Sequence, residues 1–135
     1  MIRLTPEQHV FVIERHLATL TTMRPDGTPH VTPVAFTWDD SEGCARITTR
    51  DGATKVRNIE HADAGGHPAR GALCQVAGGR WLTLEGVLTV SRDPAAIADA
   101  ERRHAVRYPP LEREPRRVLI RLQVDSVLGS QYMTS

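Results

Sequence analysis

The run RRVLIRLQVDSVLGS, residues 116–130, alternates Val118, Ile120, Leu122 and Val124 with Arg117, Leu119, Arg121 and Gln123. A period of two held over that length puts one apolar set on one side of an extended strand and does not make the stripe of a helix. Such a strand needs neighbours on both sides, and the rest of the chain supplies them. LATLTTM, HVTPVAFTW, CARITTR, ALCQVAG and WLTLEGVLTVSR read as strands, and RPDGTP, DDSEG and AGGR as the turns of hairpins. The expectation is six strands, mainly antiparallel. Pro29 and Pro33 bring no N–H to the second strand, which must therefore be bulged, unpaired or at an edge there. Several Gly-punctuated hairpins with few helices suggest a closed or split β-barrel, because closure removes exposed strand edges.

Three helices are expected around this sheet. Thr5-Pro6-Glu7-Gln8 offers a Thr cap, proline at the first helical position and a Gln able to return a bond to the cap. A helix to about His16 follows, with Val10, Phe11, Ile13 and Leu17 as a stripe covering one end of the sheet. A short helix is expected over 53–61. Asp93-Pro94 starts a third, carrying Ile97, Glu101, His104 and Tyr108 at helical spacing until Pro109-Pro110 ends it. The Gly-, Ala- and Pro-rich HADAGGHPARG reads as a loop.

The whole chain, residues 1–135, fits one domain with one core. With 17 basic and 16 acidic residues the net charge is +1, so any anion site must be local, and nucleic acid is not an expected partner. Cys44 and Cys74 have no zinc spacing and read as free thiols in a reducing compartment. The first twenty residues hold no uninterrupted apolar stretch long enough for the core of a signal peptide, and no stretch approaches the roughly 20 residues of a membrane span, so a cytoplasmic protein without a membrane partner is expected. The six histidines form no HExxH, and His61 and His67 flanking the Gly-rich loop read as surface side chains rather than metal ligands. No GxSxG elbow, Walker loop or GxGxxG is present. Asp39, Asp40 and Glu42 read as solvated charge in a hairpin turn.

One stretch stands apart. RDGATKVRN contains Lys55, the single lysine among 17 basic residues. Thr48 and Thr49 end a strand, Gly52 breaks it, and Ala53-Thr54-Lys55 begin a helix. Free backbone N–H groups and the positive end of the helix dipole there meet hydroxyls and an ammonium, an arrangement suited to an anion such as phosphate. At about 100° per residue Thr54, Lys55 and Asn58 share one arc of that helix, Val56 and Ile59 turn to the neighbouring arc to pack inward, and Arg57 points elsewhere. An ordinary helix start with a surface lysine is the equally open alternative from these residues alone.

HLATLTTMRPDGTPHVTPVAF, TTRDGATKVRN, ALCQVAGGRWLTLEG and RRVLIRLQVDSVLGS, taken in order, resemble the split β-barrel flavin and deazaflavin oxidoreductases of the pyridoxamine 5′-phosphate oxidase-like superfamily. The resemblance runs from about residue 13 to 131. It is finest with the actinobacterial branch that uses coenzyme F420, and there with the small biliverdin reductase group. It implies a homodimer with the cofactor site at the subunit interface. Cofactor phosphate would be held by Thr49, Thr54 and Lys55, with Thr48 and Asn58 adjacent, and the ring would lie against Pro33, Val34, Ala35 and Phe36. Trp81, Gln75 and Arg80 would come from the partner subunit. Thr54 stands where some flavin-binding relatives have Arg, which fits F420 with its longer anionic tail, Arg50 and Arg57 being the neighbouring arginines. The implied activity is hydride transfer from reduced deazaflavin to a conjugated planar acceptor, biliverdin first, with no side-chain nucleophile required. Arg70, Arg117 and Arg121 are the candidates for the acceptor's propionates. The alternatives are an FMN-dependent oxidase or reductase of the same fold, and a non-catalytic binder of a deazaflavin or haem-related ligand.

Overall fold

The computed structural model describes residues 2–131 and 133. Its elements run α1 (Pro6–Ile13), β1 (Ala18–Met23), β2 (Pro29–Val34), β3 (Thr37–Asp39), β4 (Cys44–Arg50), α2 (Thr54–Ala64), β5 (Ala69–Ala77), β6 (Arg80–Ser91), α3 (Pro94–Arg107) and β7 (Arg117–Gly129). Seven strands form one antiparallel sheet in the order β2-β1-β5-β6-β7-β4-β3. The expected count of six is corrected to seven because the strand foreseen over 30–38 divides at Ala35-Phe36. Its first half pairs with β1 and its second with β4, at opposite edges of the sheet.

That division has a geometric consequence. Two edges separated by five intervening strands are joined by two residues, and a chain gains at most about 3.8 Å per residue. The sheet must therefore curl until its edges approach, yet the ladder does not close between β2 and β3. As an edge strand, β2 accommodates both of its prolines.

Inside the curl, Leu20, Ile47, Leu73, Leu82, Leu84, Ile120 and Leu122 are buried together, with Phe11 and Phe36 filling an end. The long β6–β7 ladder carries a bulge between Glu85 and Gly86, where the backbones close in: a Cβ on Gly86 would stand 1.9 Å from the Gln123 carbonyl oxygen.

Local signals set the helix starts. Thr5 and Gln8 form the reciprocal capping box, and the Gln8 Nε2 also donates to the Met133 carbonyl at 2.6 Å. The inward face of α1 differs from the expected stripe: Gln8, Phe11 and Val12 are buried, whereas Val10, Ile13 and Leu17 are exposed. The helix stops at Ile13, so the later positions do not continue its register. Asp93 caps α3 through the Ala96 N–H at 3.0 Å. α2 spans the curl against β1, β5 and β6, burying Val56 and Ile59 as their helical arc requires. No helix among the described residues is long and apolar enough to cross a membrane.

Asp39 is not the solvated charge expected. It is 5% exposed and accepts from the Ser41 hydroxyl at 2.6 Å, the Ser41 and Glu42 N–H groups, and Arg46 at 2.6 Å. Cys44 is buried in β4 and Cys74 half-buried in β5, both as free thiols.

Candidate functional site

α2 begins without a side-chain cap. Ala53 takes the extended cap conformation but offers no oxygen, and no acidic residue occupies the first turn. Gly52, at φ +85°, turns the chain from β4 into this helix in the left-handed region that favours glycine. The first-turn N–H groups and the positive helix end are thus free of a side-chain partner.

Lys55 lies in this turn, partly buried, and among the described residues its ammonium makes no hydrogen bond or ion pair. Burial alone draws its pKa below the ordinary lysine value. Three residues on, Asn58 is buried and its Nδ2 donates to the Thr22 hydroxyl at 2.9 Å. Thr22 stands opposite His30 in the β1–β2 ladder, so β2 brings His30 to the same place. Burial first, and then the charges of Arg24 and Lys55, hold the His30 pKa below its usual value. His30 Nδ1 and Thr32 Oγ1 are buried without a hydrogen-bond partner. An uncompensated ammonium and an open helix N-terminus, with the unpartnered His30 nitrogen nearby, fit an anionic group carrying acceptor oxygens.

His30 and Thr32 carried no assignment in the sequence. The signal was there in the alternation of β2, which puts His30, Thr32 and Val34 on the core side and Pro29, Val31 and Pro33 on the other. Polar residues at two successive core-side positions of an edge strand ask for a partner.

The remaining candidates separate into groups. Thr48, Thr49 and Arg50 lie at the end of β4 and line a cleft of about 410 Å³ with Leu111–Glu114 and Arg117. Thr49 shares its face with Ile47 and Val118, and Thr48 with Leu119. The Asp51–Ala53 turn links this group to Lys55. Thr54 accepts a long 3.4 Å bond from Arg57. In the β2–β3 link, Val34 and Phe36 are buried core residues, Ala35 is half-buried and Pro33 is exposed.

Gln75 and Arg80 are already engaged within the chain. Gln75 is 1% exposed, donates to the Phe11 carbonyl at 2.7 Å and accepts from Arg107 at 2.9 Å. Arg80 binds both oxygens of Glu14, at 2.8 and 3.1 Å, and lies over the Phe11 ring. Trp81 stands open at the start of β6. Arg70 is paired with Asp125 at 2.7 Å and Arg117 with Glu101 at 2.6 Å, while Arg121 reaches the Cys44 sulfur and leaves its Nε buried without a partner. No cluster of three metal-ligating side chains occurs among the described residues, and His61 and His67 are exposed.

Comparison with known proteins gives a consistent result. The sequence profile of the family described as pyridoxamine 5′-phosphate oxidase matches residues 4–131. The chain is 46% identical over 128 residues to a protein of Mycobacterium tuberculosis named F420H(2)-dependent biliverdin reductase, covering 95% of this chain and 89% of that one. A solved structure titled F420 reductase superposes with a TM-score of 0.70 at 26% identity, covering 89% of this chain and 94% of that one. The haem storage protein HutZ of Vibrio cholerae superposes with a TM-score of 0.73 over 94% of both chains, at 21% identity, a likeness of fold.

Proposed function

The chain belongs to the pyridoxamine 5′-phosphate oxidase family, and from that premise we propose that it is an F420H2-dependent oxidoreductase that reduces biliverdin. The observation that carries this reading is the Lys55 ammonium, unanswered among the described residues at the open end of α2, in a chain 46% identical to a biliverdin reductase that uses F420H2.

When bound, the reduced deazaflavin supplies a hydride. The chain's own part is to bind and orient. Lys55, the first-turn N–H groups of α2, Thr54 and the orphaned atoms of His30 and Thr32 would take the phosphate. Thr48, Thr49 and Arg50 across the Asp51–Ala53 turn extend that surface. As an edge strand, β2 has a ladder partner on one side only, so its outward backbone groups can bond the polar edge of a planar ring along Pro33–Phe36. We read the curled, unclosed sheet as a split barrel.

We also propose a homodimer, with the cofactor site at the seam. Supporting this, Met23, Val31, Val76, Trp81 and Leu128 are exposed and share the outer face of β2-β1-β5-β6-β7, an apolar area that a second copy would cover. Trp81 is available there, whereas Gln75, buried under α1, would act by holding its own subunit together. The complete site would exclude water from the reacting face.

Fluorescence titration with F420 and FMN side by side, followed by reoxidation of F420H2 with biliverdin, tests the reading. Tight F420 binding, weak FMN binding and turnover are expected. Tighter binding of FMN would replace the cofactor assignment, and F420 binding without turnover would leave a storage protein.

A further inference from the structure

The proposed seam leaves a second exposed apolar group unexplained. Val10, Ile13, Leu17 and Val106 lie on and beside α1 and α3, and Val106 is 90% exposed. Between these helices and β3 runs a groove of about 440 Å³, walled by Val12, Ile13, Trp38 and Val106 and flanked by the guanidinium groups of Arg103 and Arg107. That volume is within the range of small-ligand pockets.

The groove's charge is one-sided, since no carboxylate lines it. Arg103 is balanced from outside by Asp99 at 2.9 Å and Asp39 at 3.6 Å. Arg107 is not balanced by a carboxylate among the described residues. It donates to the carbonyls of Glu14 and Phe36 and to the Gln75 side-chain oxygen, all of them neutral acceptors, and its guanidinium stacks 4.5 Å from the Phe36 ring centroid. These four bonds leave one of the five guanidinium N–H donors, on Nη1, uncommitted. Burial pulls its pKa below the ordinary arginine value, so the charge is held at a cost that a nearby anion would relieve.

We propose that this groove binds an amphipathic carboxylate, with the carboxylate at Arg107 and Arg103 and the apolar body against Trp38, Val12, Ile13 and Val106. A neutral apolar ligand would leave Arg107 uncompensated, and an ammonium ligand would meet two cations. The same chemistry is presented by an aliphatic acid and by the propionate arm of a tetrapyrrole. The site is independent of the Lys55 end, though Arg107 ties it to the β2–β3 link through the Phe36 carbonyl.

The two indole N–H signals, from Trp38 and Trp81, separate in a 1H–15N spectrum of the intact chain and are assigned with Trp38→Phe. Octanoate should shift the Trp38 signal saturably and leave Trp81 unmoved, while octanol shifts neither. Val106→Glu, at a position too exposed to affect folding, sets a carboxylate at the rim and should weaken octanoate at least tenfold. Biliverdin moving the same signal would assign the groove to a propionate arm, and octanoate acting alone would assign it to an aliphatic acid. The proposal is overturned by no shift with either acid, by octanol matching octanoate, by Val106→Glu binding normally, or by Val106→Glu changing the oligomeric state, which would make the groove a contact between copies.

Discussion

The two ends of β4 are finished differently. At the β3 end, Asp39 is enclosed by Ser41, the Glu42 N–H, Arg46 and Arg103, and Arg103 in turn holds Asp99 on α3, a helix capped by its own Asp93. At the other end the chain turns through Gly52 into a helix with no cap, a lysine with no anion among the described residues, and a nearby His30 whose buried Nδ1 has no partner. Buried charge and orphaned donors are costly unless something answers them. The first end is answered by the protein and so contributes stability. On the function proposed above, the second is left for a ligand and would contribute binding.

The largest effect should come from breaking the closed end. Asp39 and Arg46 have side chains only 6% and 11% exposed, so removing one strands the other. Asp39→Asn should cost about 3 kcal/mol of unfolding free energy, read by urea denaturation, while F420 affinity per folded molecule stays unchanged. A parallel loss of affinity would show that the two ends are coupled.

Lys55→Ala is the reciprocal experiment. It removes an uncompensated, partly buried cation, so the unfolding midpoint should hold or rise slightly. F420 binding should weaken by about 1.5–3 kcal/mol, the value of a hydrogen bond to a charged group, roughly tenfold to a hundredfold by fluorescence titration. F420 should also raise the melting temperature of the parent more than that of the variant, since ligand held by the native state stabilises it. An unchanged affinity would remove Lys55 from the site.

Acid titration sharpens the contrast further. Burial pushes the Asp39 carboxyl up, but hydrogen bonds from Ser41, Arg46 and the Glu42 N–H outweigh it and hold the pKa well below the usual carboxylate range. A carboxyl depressed on folding contributes fully above its unfolded pKa of about 4 and loses that contribution as pH falls through the folded value. Urea midpoints of the parent should therefore fall below about pH 4, and those of Asp39→Asn should fall less steeply. Identical slopes would place the acid sensitivity in Glu14, Asp51, Asp99 and Asp125, whose arginine partners depress them in the same sense.

What the sequence made legible follows the same division between local and distant causes. The starts of α1 and α3 were readable because cap, proline and first turn are neighbours in the chain, and the inward turn of Val56 and Ile59 follows from helical spacing alone. The division of one expected strand at Ala35-Phe36 was not readable, because it depends on β1 and β4 lying at different places in a curled sheet. Asp39 looked solvated because its ion-pair partner, Arg46, is across a hairpin, and Gln75 looked available because Phe11 and Arg107 reach it from 64 and 32 residues away. Lys55 stood out as a composition anomaly, but His30 became visible only when the ladder set it opposite Thr22, within reach of the Lys55 charge.

The smallest expected effect tests whether the open helix end is a neglected cap or a reserved one. Ala53 already has the extended geometry of a cap residue, with φ −60° and ψ 150°, and lacks only the oxygen. Ala53→Ser supplies it and should raise stability by about 0.5–1 kcal/mol, because the hydroxyl would accept from a first-turn N–H. That same N–H is one the cofactor's phosphate would use, so the gain in stability should come with a loss of F420 affinity of a few fold. A neglected cap predicts the first change without the second. Stability and affinity moving in opposite directions on a single added hydroxyl would mean that the helix start is left bare for the ligand.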